Sequence, residues 1–395
     1  MSVHIRTVTA DDHPEIFRLV KQAFTGDLAQ AFDESRPRLD DGRRLVAEAD
    51  GRIVGHVGVW PLGHWLGGRR VPTGGVSAVA IDPAWRGRGV GTRLLREALD
   101  AMATRGEALA TLFPLTRAVY RRLGWEIAGE RPDWRLATSA LAALPAAADV
   151  EVVPGTADDV DDLHALETRL AEGTHGMLAR GEVFARRALD PGDDHALYLA
   201  RRAGELVGYV VYAHRRADEP GELFTLRVRE LVATDGGAER ALWRLLGSHA
   251  SGTRTVAAVG PPTHPLELEL PERALQPAPV TWRWMSRVVD LAGAVAQRGW
   301  SPAATCRVDL EVDDPLLAAN AGRWRLEVTG GRGTLTRGGD ASVRLDVGAA
   351  ATLLTGWADP VTLARAGRIA ADDPADLAAL TTALAGPTPW IRDFF

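Results

Sequence analysis

The chain has 395 residues, of which 46% are hydrophobic and 25% charged, a balance that excludes wholesale disorder and, at roughly 100–200 residues per domain, a single small module. Its 46 basic residues against 52 acidic ones leave a formal charge of −6, which excludes phosphate coating of nucleic acid as the function of the whole chain. The one cysteine, Cys306, excludes an internal disulfide and a cysteine-rich metal site. The N-terminal residues lack the basic start and apolar run of a secretory signal, and no uncharged apolar stretch approaches about 18 residues. The expectation is a cytoplasmic protein that does not span a membrane.

In chain order, an extended segment His4–Val8 precedes Asp11-Asp12 and a helix marked by Ile16, Leu19, Val20 and Phe24 at helical spacing. Two short apolar runs flank Asp50-Gly51, a dipeptide that favours a tight hairpin turn. Residues 76–81 form a near-continuous apolar run that suits a strand buried on both faces. From Thr92 the period changes, and Leu94, Leu95, Ala98, Leu99 and Met102 recur on one helical face. Residues 108–114 and 125–130 read as further strands flanking a short helix that carries Tyr120.

An alanine- and proline-rich stretch, 137–154, reads as a linker, with a boundary near residue 148. Beyond it the opening order repeats: an extended piece, an Asp pair (Asp158-Asp159) and an amphipathic helix, then a hairpin with Gly204 in the place of Gly51. Such self-similarity marks a duplicated fold. The copy's later strand-turn-helix lacks a Gly-x-Gly, so the second unit is expected to have lost whatever site that turn makes. Past Trp300 the residues alternate apolar and polar as in a meander, followed by two helical stretches and a tail ending in Phe394-Phe395. Trp390 and the two phenylalanines predict that this tail docks on protein. The expected units are 1–148, 149–290 and 291–395.

The sharpest motif lies between the buried strand and the helix, where Arg86, Gly89 and Gly91 form R-x-x-G-x-G. Glycines leave backbone bare beside a ligand, the first amides of a helix are unpaired, and the aligned peptide dipoles favour an anion there. Arg86 and Arg88 add whole charges, so a pyrophosphate is a natural occupant. A P-loop would need a lysine that is absent, and a dinucleotide fingerprint would need a third glycine where Thr92 stands. A purely structural glycine turn is the remaining alternative. Ten histidines show no H-x-x-x-H spacing, and no G-x-S-x-G occurs, so neither a metal site nor an α/β-hydrolase nucleophile is expected.

This segment resembles the GNAT superfamily of acetyl-CoA-dependent N-acetyltransferases, whose signature Q/R-x-x-G-x-G/A occupies the same strand-to-helix turn. The likeness covers about the first 130 residues. It implies that Val79 and Ile81 offer backbone groups to the pantetheine arm, and that the amides of Gly87, Arg88, Gly89, Val90 and Gly91, beside Arg86, hold the pyrophosphate. The segment 112–130 resembles the stretch in which these enzymes place a tyrosine close to the CoA sulfur, and Tyr120 fits that slot. Read on its residues alone, an ordinary core tyrosine is the alternative for Tyr120.

The order of intact unit, degenerate copy and C-terminal unit resembles the enhanced-intracellular-survival family within that superfamily. The resemblance implies an α/β (α+β) chain of two tandem GNAT folds, the second degenerate, and a sterol-carrier-protein-like αβ domain. It implies acetyl-CoA as co-substrate and a homo-hexamer, while charge, histidine spacing and the lack of a long apolar stretch leave no metal and no nucleic-acid or membrane partner expected. It also implies direct acetyl transfer to primary amines of a small cationic molecule, aminoglycoside- or polyamine-like, with Tyr120 as acid and the terminal carboxylate of Phe395 as base. Phe24, Trp60 and Trp65 with the acids Asp27, Asp33, Glu34 and Asp393 offer an aromatic, anionic pocket for such a substrate, or serve as core aromatics and a solvated acidic surface. Phe394 departs from the family's acidic penultimate residue, and Gly26 stands where an acid could meet a cation. The alternative from another class is a non-enzymatic binding protein whose C-terminal unit holds an apolar ligand, with CoA kept as a structural group.

Overall fold

In the computed structural model of the chain, residues 2–24, 42–217 and 221–395 are described. They fall into two compact units, Met1–Ala128 with Trp284–Pro387 and Phe394–Phe395, and Gly129–Arg283 with Thr388–Asp393.

The first unit opens with β1 (His4–Thr7), β2 (Arg44–Ala49), β3 (Arg52–Leu66), β4 (Arg69–Ile81), β5 (Leu109–Leu112) and β6 (Glu126–Arg131). The hairpin expected at Asp50-Gly51 joins β2 to β3, with both turn residues at positive φ. Between β4 and β5 runs the helix Val90–Thr104, whose buried face is Val90, Leu94, Leu95, Ala98, Leu99 and Met102, the positions that its period predicts. The sheet order is β1-β2-β3-β4-β5, then the strand Trp282–Val288, then β6. In that inserted strand Met285 pairs with Leu112, Arg287 with Ala110 and Val288 with Leu109. All four residues of β5 are buried, so β5 needs hydrogen-bond partners on both edges, and a segment about 175 residues downstream supplies one.

The alternating segments after Trp300 form a second sheet in this unit, in the order Arg332–Arg337, Gly322–Thr329, Cys306–Asp313, Val343–Asp346, Ile369–Ala371. The first three are an antiparallel meander, and Val343–Asp346 then lies parallel to Cys306–Asp313. One continuous core joins this region to the first sheet, since Leu66, Val71, Ala108, Leu109 and Val288 cluster with Trp324, Leu326, Val347 and Leu353.

The second unit carries a seven-stranded sheet ordered Leu275–Pro277, Asp133–Ala137, Thr255–Val259, Thr225–Ala233, Glu205–Arg215, Ala196–Arg202, Glu151–Pro154. Its start differs from the expected boundary near 148. Asp133–Ala137 pairs with Thr255–Val259, and the alanine-rich stretch read as a linker contains the helix Thr138–Ala142. A Cβ added at Gly247 would lie 2.3 Å from the Ala142 nitrogen, so that helix is tightly packed. Small residues permit close helix contact as readily as they permit a loop, so composition alone does not separate the two. The duplicated Asp pairs build the same turn in both copies: the Thr9 amide donates to the Asp12 carboxylate at 2.7 Å and the Thr156 amide to Asp159 at 2.8 Å. Among the described residues, no helix is long and apolar enough to cross a membrane.

Candidate functional site

The site begins where β4 and β5 part. Their parallel ladder comprises Thr73 with Leu109, Gly74 with Ala110 and Gly75 with Thr111, and ends there, while β4 continues to Ile81. Ala78, at φ +49°, bulges out of the β3–β4 pairing, which shifts register between His56 and Gly58. His56 steadies the bulge. Its buried ring is held neutral because desolvation lowers its pKa to about 4, and Nδ1 donates to the Ala78 carbonyl at 2.9 Å. Val79 and Ile81 lie half-buried just beyond, on the free stretch of β4.

β4 runs into the glycine turn. Arg86, Gly87, Arg88 and Gly89 are exposed, Val90 is buried and Gly91 half-buried. Gly87 and Gly89 sit at φ +75° and +77°, and among the described residues a Cβ at either would meet nothing within 4 Å, while one at Gly91 would meet only the Ile81 side chain, at 3.6 Å. Among the described residues, no side chain caps the helix that follows. The backbone ledge is therefore bare, next to two guanidiniums and a helix N-terminus, and fits a diphosphate. In the second unit the corresponding helix, Gly236–Gly247, is closed by its own anion. The Asp235 carboxylate accepts from the amides of Gly237 at 2.9 Å and Ala238 at 3.1 Å. Arg202 bonds the same carboxylate at 2.7 Å and holds its pKa well below the usual range. The protein's own carboxylate takes the amides that a diphosphate would need.

Tyr120 lies on the short helix Arg117–Arg121 and packs edge-on to Trp125, with ring centroids 6.1 Å apart. Like Val79 and Ile81, it flanks the core cluster of the helix Val90–Thr104. Its carbonyl accepts from the amides of Leu123 at 2.9 Å and Trp125 at 3.2 Å, which closes a tight turn through Gly124. Burial raises the phenol's pKa, so it keeps its proton at neutral pH. The last two residues of the chain also lie in this unit. Phe394 stacks on Phe113 with centroids 4.5 Å apart, Phe395 meets the same ring edge-on at 5.7 Å, and a Cβ at Gly75 would be 3.2 Å from Cε2 of Phe395. The terminal side chain thus reaches the point at which the β4–β5 ladder stops.

The preceding tail residues, 388–393, belong to the second unit. Asp393 was a candidate for binding a cationic substrate, and here it is buried and committed to Arg180 at 2.7 Å. Arg180 also forks onto Glu230 at 2.8 and 3.1 Å, Arg392 bonds Glu230 at 2.9 Å, and the Tyr209 hydroxyl donates to it at 2.7 Å. Glu167 lies 3.6 Å from Arg392, and desolvation pushes its pKa up to about 7. Phe24 packs half-buried on a core cluster with Ile16 and Val20, and Trp60 is buried. Asp27, Asp33 and Glu34 lie outside the described residues. Phe113 and His56 carried no local signal beyond an aromatic at a strand end and a histidine inside an apolar run. Among the described residues, no group of three or more His, Cys, Asp or Glu could hold a metal ion.

Residues 4–128 match the family model described as an acetyltransferase (GNAT) domain, residues 176–288 match a second model of that description, and residues 291–392 match a sterol carrier protein domain. The chain is 32% identical to an uncharacterized N-acetyltransferase of Streptomyces avermitilis, over the full length of both. It is 27% identical to the N-acetyltransferase Eis of Mycobacterium tuberculosis strain H37Ra, over 98% of each chain. The crystal structure of a GCN5-related N-acetyltransferase from Anabaena variabilis superposes with a TM-score of 0.92 at 26% identity, covering both chains completely.

Proposed function

Because the chain belongs to the enhanced-intracellular-survival (Eis-like) family of GNAT N-acetyltransferases, we propose that its first unit acetylates primary amines of a small polycationic molecule, aminoglycoside- or polyamine-like. The acetyltransferase assignment replaces the alternative of a non-enzymatic carrier. GNAT enzymes use acetyl-CoA as co-substrate, which supplies the activated acetyl group. The amides of Gly87, Arg88, Gly89, Val90 and Gly91 hold its diphosphate with Arg86 and Arg88 as counter-charges, and the backbone of Val79 and Ile81 lines the arm. The observation that carries this reading is the bare ledge at Gly87–Gly91 below a splayed β4, in contrast to the self-capped turn at Asp235.

Tyr120 acts as the acid, giving its proton to the departing sulfur as the C–S bond breaks and the C–N bond forms. Its raised pKa keeps that proton available until it is needed. The carboxylate of Phe395 takes the proton from the ammonium. An α-carboxylate ordinarily titrates near ~3.5, so it needs a dry setting to become basic enough, and the rings of Phe113, Phe394 and Phe395 supply apolar surroundings at the tail's end. Asp27, Asp33 and Glu34 remain the proposed acids for the cationic substrate, and the reading extends to a cytoplasmic location and to a hexamer, the latter tested by sedimentation of the purified protein. The functional test is thiol release from acetyl-CoA with a panel of aminoglycosides, polyamines, aromatic amines and peptides. Turnover on the polycations is the expected result. Folded protein that binds CoA and turns over none of the amines defeats the proposal.

A further inference from the structure

The segment that carries Tyr120 is gripped by charged groups from the last third of the first unit. Arg287, with its side chain fully buried on the inserted strand, donates from Nε to the Leu123 carbonyl at 2.8 Å, from Nη1 to the Val288 carbonyl and from Nη2 to Oδ1 of Asp314 at 2.6 Å. Asp314 is equally buried. Its Oδ1 also accepts from the amides of Leu316 and Leu317, both at 3.1 Å, and its Oδ2 accepts from Asn320 at 2.9 Å. Asn320 in turn accepts from the Leu291 amide at 2.9 Å. The turn at Gly124, φ +84°, lies directly on this group, since a Cβ there would be 2.7 Å from Nε of Arg287 and 2.7 Å from Cγ1 of Val347. One residue past Trp125, Glu126 accepts from Arg121 at 2.8 Å and from Arg368 at 2.7 Å, and Arg368 is itself forked onto Asp346.

We infer that Arg287 and Asp314 are positioning residues for Tyr120, and that the sterol-carrier-like region seats the phenol of the acetyltransferase site. The inference rests on the reading of Tyr120 as acid. A buried ion pair is weak support for stability, because an apolar pair of similar volume often serves as well. What an apolar pair cannot reproduce is direction. The rigid guanidinium fork ties one carbonyl of the Tyr120 turn to one carboxylate, and that carboxylate organises the loop Asp314–Asn320. Leu316 and Leu317 of this loop pack on the same core cluster that Tyr120 flanks, so the grip is both polar and apolar. Glu126 and Arg368 add a second, more exposed tie at the far end of the turn.

The experiment uses the full chain with Tyr120→Phe, the paired change Arg287→Met with Asp314→Leu, and their combination. The paired change keeps the core filled where a single one would strand a charge, and Arg368→Gln tests the outer tie without burying anything. Each is assayed for thiol release and for CoA affinity, and the ring signal of Tyr120 is followed by NMR of 13C-labelled tyrosine, assigned with Tyr120→Phe among four tyrosines. The paired variant is expected to lose about tenfold or more in kcat with acetyl-CoA KM within about twofold, and Arg368→Gln to lose about threefold. The Tyr120 signal is expected to move, with its titration falling back toward the ordinary phenol range, and the paired change is expected to cost nothing further once Tyr120 is phenylalanine. An unmoved ring signal in either variant, or losses that multiply in the combination, overturns the inference. Full activity of Tyr120→Phe alone defeats the acid reading instead, and the ring signal still decides whether Arg287 and Asp314 position the tyrosine.

Discussion

Gly89→Asp tests the ledge by giving the first unit what Asp235 gives the second, a resident carboxylate at the helix N-terminus. Gly89 is at φ +77° and a Cβ there would meet nothing within 4 Å among the described residues, so the substitution clashes with none of them. Aspartate visits the left-handed region more readily than most residues, and the backbone cost is about 1 kcal/mol. The effect on the ligand is larger. A carboxylate about 6 Å from a diphosphate of charge −2 costs about 2 kcal/mol at an effective dielectric near ~60 between water and protein surface. Displacing the diphosphate from the bare amides adds to this, which makes a loss of roughly 30–100-fold in CoA affinity at ~1.4 kcal/mol per tenfold. The assay is calorimetric titration with CoA, alongside steady-state thiol release over a range of acetyl-CoA concentrations and a thermal melt. KM for acetyl-CoA is expected to rise with kcat at saturation largely kept, and Tm to fall by only a few degrees. An unchanged CoA affinity in the folded variant would refute the placement of the diphosphate on this turn.

Three further outcomes follow from the geometry. Appending one glycine after Phe395 moves the carboxylate by up to ~3.5 Å, and kcat is expected to fall about tenfold or more with acetyl-CoA KM unchanged; unaltered turnover removes the carboxylate from the mechanism. Because burial raises the Tyr120 phenol, its proton is retained to higher pH than usual, so the alkaline fall in kcat is expected above the ordinary phenol range, near ~10, and to disappear in Tyr120→Phe. Burial pushes Glu167 up to about 7, above its unfolded value, so its neutral form is favoured in the folded state. Its contribution is complete below the unfolded pKa and is lost as pH rises through about 7. Urea unfolding is therefore expected to show Glu167→Gln gaining on the wild type between pH 5 and pH 8, by on the order of 2 kcal/mol; a difference that does not change with pH contradicts this.

The parts of the fold that were legible are those governed by neighbours in sequence. The helix Val90–Thr104 is written in a 3.6-residue period, the turn before it in two glycines at positive φ, and the duplicated Asp pairs in two equivalent capping boxes. Strand partners were not legible. Trp282–Val288 mixes apolar and polar residues without a strict alternation, and nothing local says that it pairs with β5 rather than with the sheet of the second unit. The same limit applies to Arg287, since Asp314, Leu123 and Gly124, which surround it in the fold, are remote from it in sequence. Asp393 shows the converse. A charge two residues from the end reads as available, yet Arg180, 213 residues away in sequence, binds and buries it. The proposed catalytic roles of Tyr120 and Phe395 come from resemblance, and what the folded chain adds is the burial of the phenol and the ring contacts of Phe394 and Phe395 with Phe113.

The decisive measurement is a crystal structure of the full chain with CoA bound. The diphosphate is expected against the amides of Gly87–Gly91, the arm along Val79 and Ile81, and the sulfur within hydrogen-bond reach of the Tyr120 hydroxyl. CoA bound elsewhere, or a sulfur well away from that hydroxyl, would contradict this placement.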